Sequence, residues 1–228
     1  MTNLEAWGTF KVTPEGRIKA LPFCRLYLSN LKKYQYIEAQ TGVPSWVVAG
    51  LHMRESGMDF DCNLMNGEPI NRVTRLVPKG RGPWSSWERS AVDALEFDSL
   101  AHRLPTFWSI DNVLDIVEKY NGLGYRKRNV PSPYLWAGTT KYSIGKYTAD
   151  GVYNPAAIDK QAGFCCFAGV LHDEFGVELW NHLGARPPEA PSKEQEPVKV
   201  EPKPVEPPQT KVEPKLSLWG RLKRLFGR

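Results

Sequence analysis

The segment from residue 186 to residue 214 limits how much of the chain can form a folded domain. It is rich in Pro, Glu, Lys and Val, contains no aromatic residue, and repeats the phrase Val-Glu-Pro three times. Such a composition cannot bury enough apolar surface to offset the entropy lost on folding, and its prolines favour an extended polyproline II backbone. We therefore predict a disordered linker between a folded domain, residues 1–185, and a short C-terminal segment, residues 215–228.

The C-terminal segment is predicted to form a basic amphipathic helix. Its apolar side chains fall within an arc of about 120° at 100° per residue, and its arginines lie on the other side. It carries five basic residues and no acidic one. Trp and Phe on such a helix favour binding to an anionic membrane or to lipopolysaccharide, although docking on a protein surface is an alternative. The residues predicted to bind the membrane are Trp219, Arg221, Leu222, Lys223, Arg224, Leu225 and Phe226.

The charge of the chain is concentrated in its C-terminal part. Residues 1–185 carry 20 basic and 19 acidic side chains, whereas residues 186–228 carry 10 basic and 6 acidic ones. A nucleic-acid-binding domain is expected to have a basic face on the fold itself. We therefore predict that nucleic acid is not a partner of this chain.

Several other classes of protein are also disfavoured. The N-terminus lacks the basic and apolar regions of a signal peptide, and no apolar stretch approaches the roughly 20 residues needed to span a bilayer. The four cysteines are few, two of them are adjacent, and neither CxxC nor HExxH spacing occurs. We therefore expect reduced thiols, no metal, no cofactor, and a monomer made in the cytoplasm.

Hydrophobic periodicity predicts a mainly α domain with a small β element. Alternating apolar residues after a turn at Asn66–Pro69 predict a short strand or ribbon over residues 70–77. Nothing in the pattern indicates alternating β and α units. Helices are predicted over residues 23–40, 44–56, 87–100 and 107–120 and, in one or two parts, over residues 155–175.

Glu55 lies at the polar end of an apolar run, residues 46–53. In a helix Val48, Leu51 and Glu55 lie on neighbouring faces, and Ser56-Gly57 predicts the end of that helix. A lone carboxyl at the mouth of an apolar pocket is disfavoured in its charged form, so it can donate a proton near neutral pH. A glycosidic oxygen requires such a general acid. A solvated residue at a helix end is the alternative interpretation.

A second pattern follows the helix predicted over residues 107–120. The sequence Tyr120-Asn121-Gly122-Leu-Gly124-Tyr125 places two glycines where a helix ends. Glycines allow a positive φ and bring the backbone close to a ligand. Two tyrosine rings and an amide are groups that sugars bind by stacking and hydrogen bonding. A simple glycine cap at the end of a helix explains the same pattern.

Together these two motifs resemble the lysozyme-like superfamily, in particular goose-type lysozymes, soluble lytic transglycosylases and phage endolysins. Asn66–Pro69 and Tyr134–Thr139 are also similar to segments of phage and bacterial members, so the resemblance covers roughly residues 20–175. It implies an α+β lysozyme-like fold and peptidoglycan as the substrate, with Glu55 as the catalytic acid. The residues that it implies for substrate binding are Ser56, Asn66, Tyr120, Asn121, Gly122, Gly124 and Tyr125.

The resemblance leaves the second half of the reaction open. A hydrolase with two carboxylates needs a partner about 5–5.5 Å away for retention, or about 6.5–9.5 Å away for inversion. Glu68 and Asp93 are the leading candidates, and Asp59 and Asp61 are others. Lytic transglycosylases of the resembling group act with one Glu, and a hydroxyl of the substrate closes an anhydro ring.

These features together predict a phage endolysin, a muramidase or lytic transglycosylase that cleaves the glycan strand. The basic C-terminal helix would act on a membrane while the domain cuts the cell wall, after synthesis in the host cytoplasm and release into the periplasm. Two alternatives are a virion-associated or baseplate protein whose tail binds a partner, and a glycan-binding module without activity.

Overall fold

The computed structural model of the protein describes residues 2–149 and 151–179. This part of the chain contains nine α-helices, one 3₁₀ turn (Pro105–Trp108) and two short strands. The helices are α1 (Asn3–Trp7), α2 (Pro14–Ser29), α3 (Leu31–Thr41), α4 (Ser45–Ser56), α5 (Trp87–Phe97), α6 (Ile110–Asn121), α7 (Gly124–Lys127), α8 (Pro133–Trp136) and α9 (Phe164–Phe175). The strands are β1 (Lys146–Ala149) and β2 (Val152–Asn154).

The predicted class, mainly helical with a small β element, is confirmed for the described residues. The predicted linker, residues 186–214, and the predicted C-terminal helix, residues 215–228, lie outside them. Within the described residues, every helix is too short or too polar to cross a bilayer. All four cysteines are described, and each is a free thiol.

Helix α4 is the centre of the fold. Ten of its twelve residues are buried, and it packs against α3 on one side and α9 on another. Gly50 allows the close approach to α9, because a Cβ at this position would come within 2.4 Å of the Phe164 ring. A helix enclosed in this way needs apolar residues around most of its circumference, which explains the continuous run over residues 46–53.

The predicted ends of α4 are confirmed. Gly42 (φ 75°) ends α3 in the left-handed conformation, and Pro44 then precedes α4. Gly57 (φ 67°) ends α4, and its N–H donates to the Met53 carbonyl at 3.1 Å. Glycine relieves the strain that a side chain would meet at a positive φ. Glu55 is therefore the penultimate residue of a buried helix.

The helix predicted over residues 23–40 is wrong as a single element. It is two helices, α2 and α3, because the backbone of Asn30 leaves the helical conformation (φ −113°, ψ 19°), and the Asn30 side-chain amide supports this end of α2 by donating to the Leu26 carbonyl at 2.9 Å. Residues 155–163 are not helical either, so α9 begins only after Gly163. A Cβ on Gly163 would come within 2.4 Å of the Leu135 carbonyl oxygen, and this contact sets the start of α9 against α8.

The position predicted for the β element is also wrong. Residues 70–77 form no strand, because the Glu68 carboxylate accepts the N–H groups of Arg75 and Leu76, which a strand would need for pairing. The strands are instead β1 and β2, which pair antiparallel with Tyr147 opposite Tyr153. Strands this short give too little periodicity to be recognised in the sequence.

A buried histidine connects α4 to its surroundings. His52 is fully buried, and its Nε2 lies 3.1 Å from the Asp59 carbonyl oxygen, which can only accept. Nε2 therefore carries the proton, and Nδ1 accepts from the Tyr34 hydroxyl at 3.0 Å. The ring stacks on Trp87 with centroids 4.3 Å apart. Burial lowers the pKa of His52 to about 4, and the carbonyl and charge of Asp59 only partly oppose this.

We predict that His52 makes the free energy of unfolding depend on pH. The neutral ring is favoured in the folded state, whereas the unfolded chain takes up a proton near the ordinary value of 6.5. This contribution is complete above pH 6.5 and is lost as the pH falls from 6.5 to about 4. The loss is about 3 kcal/mol. Urea unfolding measured across this range checks it.

The control for this prediction is a histidine on the surface. His52→Gln lowers stability at pH 7 but removes most of the slope between pH 6.5 and 4. His102→Asn keeps the slope, because His102 is exposed, and asparagine tolerates the left-handed backbone there (φ 62°). An unchanged slope in His52→Gln would contradict the assignment.

Candidate active site

The Glu55 carboxylate is buried at the end of α4, with 9% of the residue exposed. The Tyr134 hydroxyl donates to its Oε1 at 2.7 Å. Burial raises the pKa of Tyr134 well above its usual value, and the nearby Glu55 charge and hydrogen bond raise it further. The phenol therefore keeps its proton and acts as a permanent donor to this carboxylate. This contact restrains the position of Oε1.

Tyr134 reaches Glu55 from a short helix distant in the sequence. It lies on α8, which packs between α6 and α9. The pair is separated by 79 residues along the chain. In the sequence, the segment Tyr134–Thr139 contributes to the resemblance, but no pattern there predicts a role for Tyr134. The available signal was a buried tyrosine in that segment, but its partner could not be read from spacing.

Tyr120, on α6, is a second buried tyrosine near Glu55. Its hydroxyl donates to the Leu64 carbonyl oxygen at 3.0 Å and so ties α6 to the loop after α4. Burial raises the pKa of Tyr120 well above its usual value, and the charges of Asp98 and Glu55 add to this effect. The ring is 4% exposed. Tyr120 thus lies near Glu55 as a buried hydrogen-bonding group.

The predicted Asn-Gly-x-Gly-Tyr turn is present at the end of α6. Asn121 is the last residue of α6 and is half-buried, and Gly122 follows with φ 97°. Gly124 begins α7, and its carbonyl oxygen accepts from the Tyr147 hydroxyl at 3.2 Å. Tyr125 is 4% exposed, and its oxygen accepts from the Tyr147 backbone N–H at 3.0 Å.

The prediction that Tyr120 and Tyr125 offer stacking faces to a sugar is therefore corrected. Both rings are buried, so neither presents a face to a ligand. Tyr125 packs edge-on against Tyr147 of β1 and Tyr153 of β2, with ring centroids 5.0 and 6.4 Å away. The antiparallel pair of β1 and β2 is called the hairpin below. These tyrosines fix the turn to the hairpin.

The loop after α4 is held by its own polar side chains. Glu68 is 7% exposed and accepts from Arg75 N–H at 3.0 Å, from Leu76 N–H at 2.8 Å and from the Asn66 amide at 3.2 Å. The Asn66 side-chain oxygen accepts from Glu68 N–H at 3.1 Å. Both predicted site residues are thus engaged within their own loop.

The same loop lies directly against the end of α4. A Cβ on Gly67 would come within 3.5 Å of the Glu55 carbonyl oxygen. Ser56 is half-buried, and its hydroxyl donates to the His52 carbonyl at 3.4 Å. The structure thus brings Glu55, Ser56 and the Gly67 turn together.

Asp93, the other predicted partner acid, is occupied elsewhere. Its carboxylate accepts two hydrogen bonds from the Arg81 guanidinium and one from the Trp84 indole at 3.2 Å. Within the described residues, these hydrogen bonds join Asp93 to the loop before α5, and none joins it to Glu55. This carboxylate stabilises the loop over residues 79–84.

Four carboxylates are buried in the described residues, and their partners differ. Glu118 is held by the Arg126 guanidinium, and Asp159 by the Arg54 guanidinium. Glu68 is held largely by backbone N–H groups. One hydrogen bond to Glu55 comes from a neutral phenol, which can pair with either protonation state of a carboxyl group. In this contact Glu55 differs from the other three buried carboxylates.

The described residues form no cluster of three or more His, Cys, Asp and Glu that could hold a metal ion. A cavity of about 130 Å³ is lined by residues of α2, of the 138–143 segment and by Ile158 and Asp159, and Glu55 does not line it. No family model matches the chain, and neither a curated protein nor a solved structure does.

We predict that Glu68 stabilises its loop through hydrogen bonds. Glu68→Ala leaves the Arg75 and Leu76 N–H groups without their acceptor and lowers the free energy of unfolding by about 2–4 kcal/mol. Glu68→Gln keeps an oxygen acceptor and lowers it by about 1 kcal/mol. Urea unfolding of both variants and of the exposed control Glu96→Gln measures the difference. Equal losses in Glu68→Ala and Glu96→Gln would contradict this role.

Proposed function

We propose that the protein is a peptidoglycan-degrading enzyme, a muramidase or lytic transglycosylase, in which Glu55 is the general acid. The observation that carries this proposal is the buried Glu55 carboxyl, which accepts from the Tyr134 hydroxyl at 2.7 Å at the end of a buried helix. The resemblance of the Glu55 and Asn121 motifs to the lysozyme-like superfamily supplies the substrate class.

Proton donation fits the hydrogen bond to Tyr134. Since the phenol can donate to Oε1 in either protonation state of the carboxyl, Glu55 can pass its proton to the glycosidic oxygen as the bond breaks without losing this contact. The carboxylate that remains still accepts from Tyr134, so the charge that forms is stabilised at once. This geometry avoids a rearrangement of the site during the reaction.

The second step is proposed to need no second carboxylate. Glu68 is engaged with backbone N–H groups, and Asp93 is engaged with Arg81 and Trp84. Withdrawing either acid would leave buried or half-buried donors without a partner. These engagements favour the lytic transglycosylase route, in which Glu55 takes a proton back from a substrate hydroxyl that closes an anhydro ring.

The setting that we propose is lysis of a bacterial host by a phage endolysin. The proposal rests on the sequence of residues 215–228, which is basic and amphipathic and follows a Pro-rich segment. The helix would bind anionic lipid or lipopolysaccharide while the domain acts on the cell wall.

We predict that Glu55→Gln abolishes the release of soluble fragments from purified peptidoglycan. The amide cannot donate a proton as an acid, so the rate falls by about 10²- to 10⁴-fold. Mass spectrometry of the released muropeptides also identifies the product, and we expect anhydro ends.

A matched control separates catalysis from stability. Glu118→Gln also neutralises a buried carboxylate, one that is held by Arg126, and it is expected to keep the activity. Full activity of Glu55→Gln would contradict the proposal. Binding to peptidoglycan without release of fragments by the unaltered chain would favour the glycan-binding alternative.

We predict that the C-terminal segment acts on membranes and not on the glycan. A chain that ends at residue 186 should degrade purified sacculi at the rate of the full chain but bind anionic liposomes weakly and kill intact cells poorly. Leu222→Gln/Leu225→Gln in the full chain keeps the charge and removes part of the apolar face, so it should show the same loss. Equal liposome binding by all three chains would contradict the membrane role.

A further inference from the structure

We infer that Arg54 and Asp159 are positioning residues, which hold Tyr134 in place and through it orient Glu55. The inference rests on the proposed function, because the consequence of the orientation is measured in the reaction. Arg54 contacts the ring of Tyr134, and Asp159 holds Arg54. Both act through the tyrosine.

The Arg54 guanidinium lies against the face of the Tyr134 ring, 4.7 Å from its centroid. On its other side it donates from Nη1 to the Ala162 carbonyl at 3.0 Å and from Nη2 to Asp159 at 3.2 Å. A planar cation fixed by two hydrogen bonds limits the displacement of a ring that stacks on it. The Tyr134 hydroxyl is thereby kept at hydrogen-bond distance from Glu55.

The Arg54–Asp159 pair is poorly explained as a source of stability. The two side chains are 6% and 7% exposed, so both charges have lost most of their hydration. The attraction between two buried charges often fails to offset that loss. In addition, Arg54 Nε is buried without a hydrogen-bond partner, which is a further penalty. The Arg54–Asp159 arrangement is unfavourable in itself and lies directly beside the proposed general acid. This indicates a role in positioning the side chains around Glu55.

Asp159 is held as firmly as the arginine. Burial alone would raise its pKa, but Arg54 first and then Lys146 outweigh burial and lower the pKa of Asp159. Its Oδ1 accepts from Gln161 N–H at 3.0 Å, and its own N–H donates to the Tyr142 hydroxyl at 3.0 Å. The carboxylate is therefore charged and fixed, and it presents a constant partner to Arg54.

The test uses full-length variants and two measurements. Arg54→Lys keeps the positive charge but loses the planar group that stacks on Tyr134. Asp159→Asn keeps the size of the side chain and loses its charge, and it serves as the second variant where Arg54→Lys folds poorly. Glu118→Gln is the matched control, because it disturbs another pair in which an arginine holds a buried carboxylate.

The first measurement is the kinetics of peptidoglycan cleavage. We expect kcat to fall by about 10- to 100-fold in Arg54→Lys and Asp159→Asn, because small displacements of a reacting group have effects of this size. KM should stay within about twofold, and Glu118→Gln should keep kcat. The expected split between kcat and KM separates a positioning role from a loss of folded protein.

The second measurement does not depend on activity. In protein that contains 3-fluorotyrosine, the fluorine resonance of Tyr134 is identified as the one that Tyr134→Phe removes. It should move in Arg54→Lys, in Asp159→Asn and in Glu55→Gln, and it should stay in place in Glu118→Gln.

The outcomes distinguish this inference from the proposed function. Retained kcat in both variants, an equal loss of kcat in Glu118→Gln, or an unmoved Tyr134 resonance would each overturn the positioning role while the proposed function stands. An unaltered chain that does not cleave peptidoglycan would overturn the proposed function and with it the catalytic consequence. Loss of kcat together with a shifted resonance supports the inference.

Discussion

The enclosure of α4 by the helices around it is the constraint on which the rest of the structure depends. A helix that is buried on nearly every face carries its last residues into the interior as well, so Glu55 and His52 are removed from water. Each must then find a partner, because an unpaired buried polar group is strongly unfavourable. His52 is paired with Tyr34 and the Asp59 carbonyl, and Glu55 is paired with Tyr134. The positions of α3, α8 and the loop after α4 follow from these requirements.

The kind of donor that satisfies a buried carboxylate limits what the carboxylate can do. One that is held by a buried guanidinium, like Asp159, leaves a buried cation uncompensated when it takes up a proton. A carboxylate that is held by several backbone N–H groups, like Glu68, becomes a weaker acceptor when it takes up a proton. A phenol is neutral, so the hydrogen bond from Tyr134 to Glu55 can persist whether that carboxyl is charged or protonated. Burial alone therefore does not distinguish a candidate acid from a structural one, and the chemistry of each partner has to be considered.

The sequence predicts what depends on hydrophobic pattern and fails where side-chain hydrogen bonds or distant residues decide the structure. Helix α4 and its end at Gly57 follow from an apolar run between a proline and a glycine, and this places Glu55 correctly. The break at Asn30 and the absence of a strand over residues 70–77 depend on side-chain hydrogen bonds to the backbone, which periodicity does not contain. Tyr134 could not be assigned to Glu55, because no spacing rule connects residues 79 positions apart. The burial of Tyr125 likewise depends on a hairpin too short to predict.

The Asp159 carboxylate contacts both Lys146 of β1 and Arg54 of α4, and so it connects the hairpin to the residue before Glu55. This links two motifs that lie far apart in the sequence. Tyr125 joins the turn after α6 to Tyr147 of β1, and Lys146 of the same strand lies 3.7 Å from the Asp159 carboxylate. Asp159 in turn fixes Arg54, the residue before Glu55. The turn that resembles a glycan-binding segment and the carboxyl that resembles a general acid are therefore held by a single set of contacts. Since Arg54 belongs to α4 and is joined by Asp159 to Lys146 of β1, a displacement of β1 is expected to change the surroundings of Tyr134 and of Glu55.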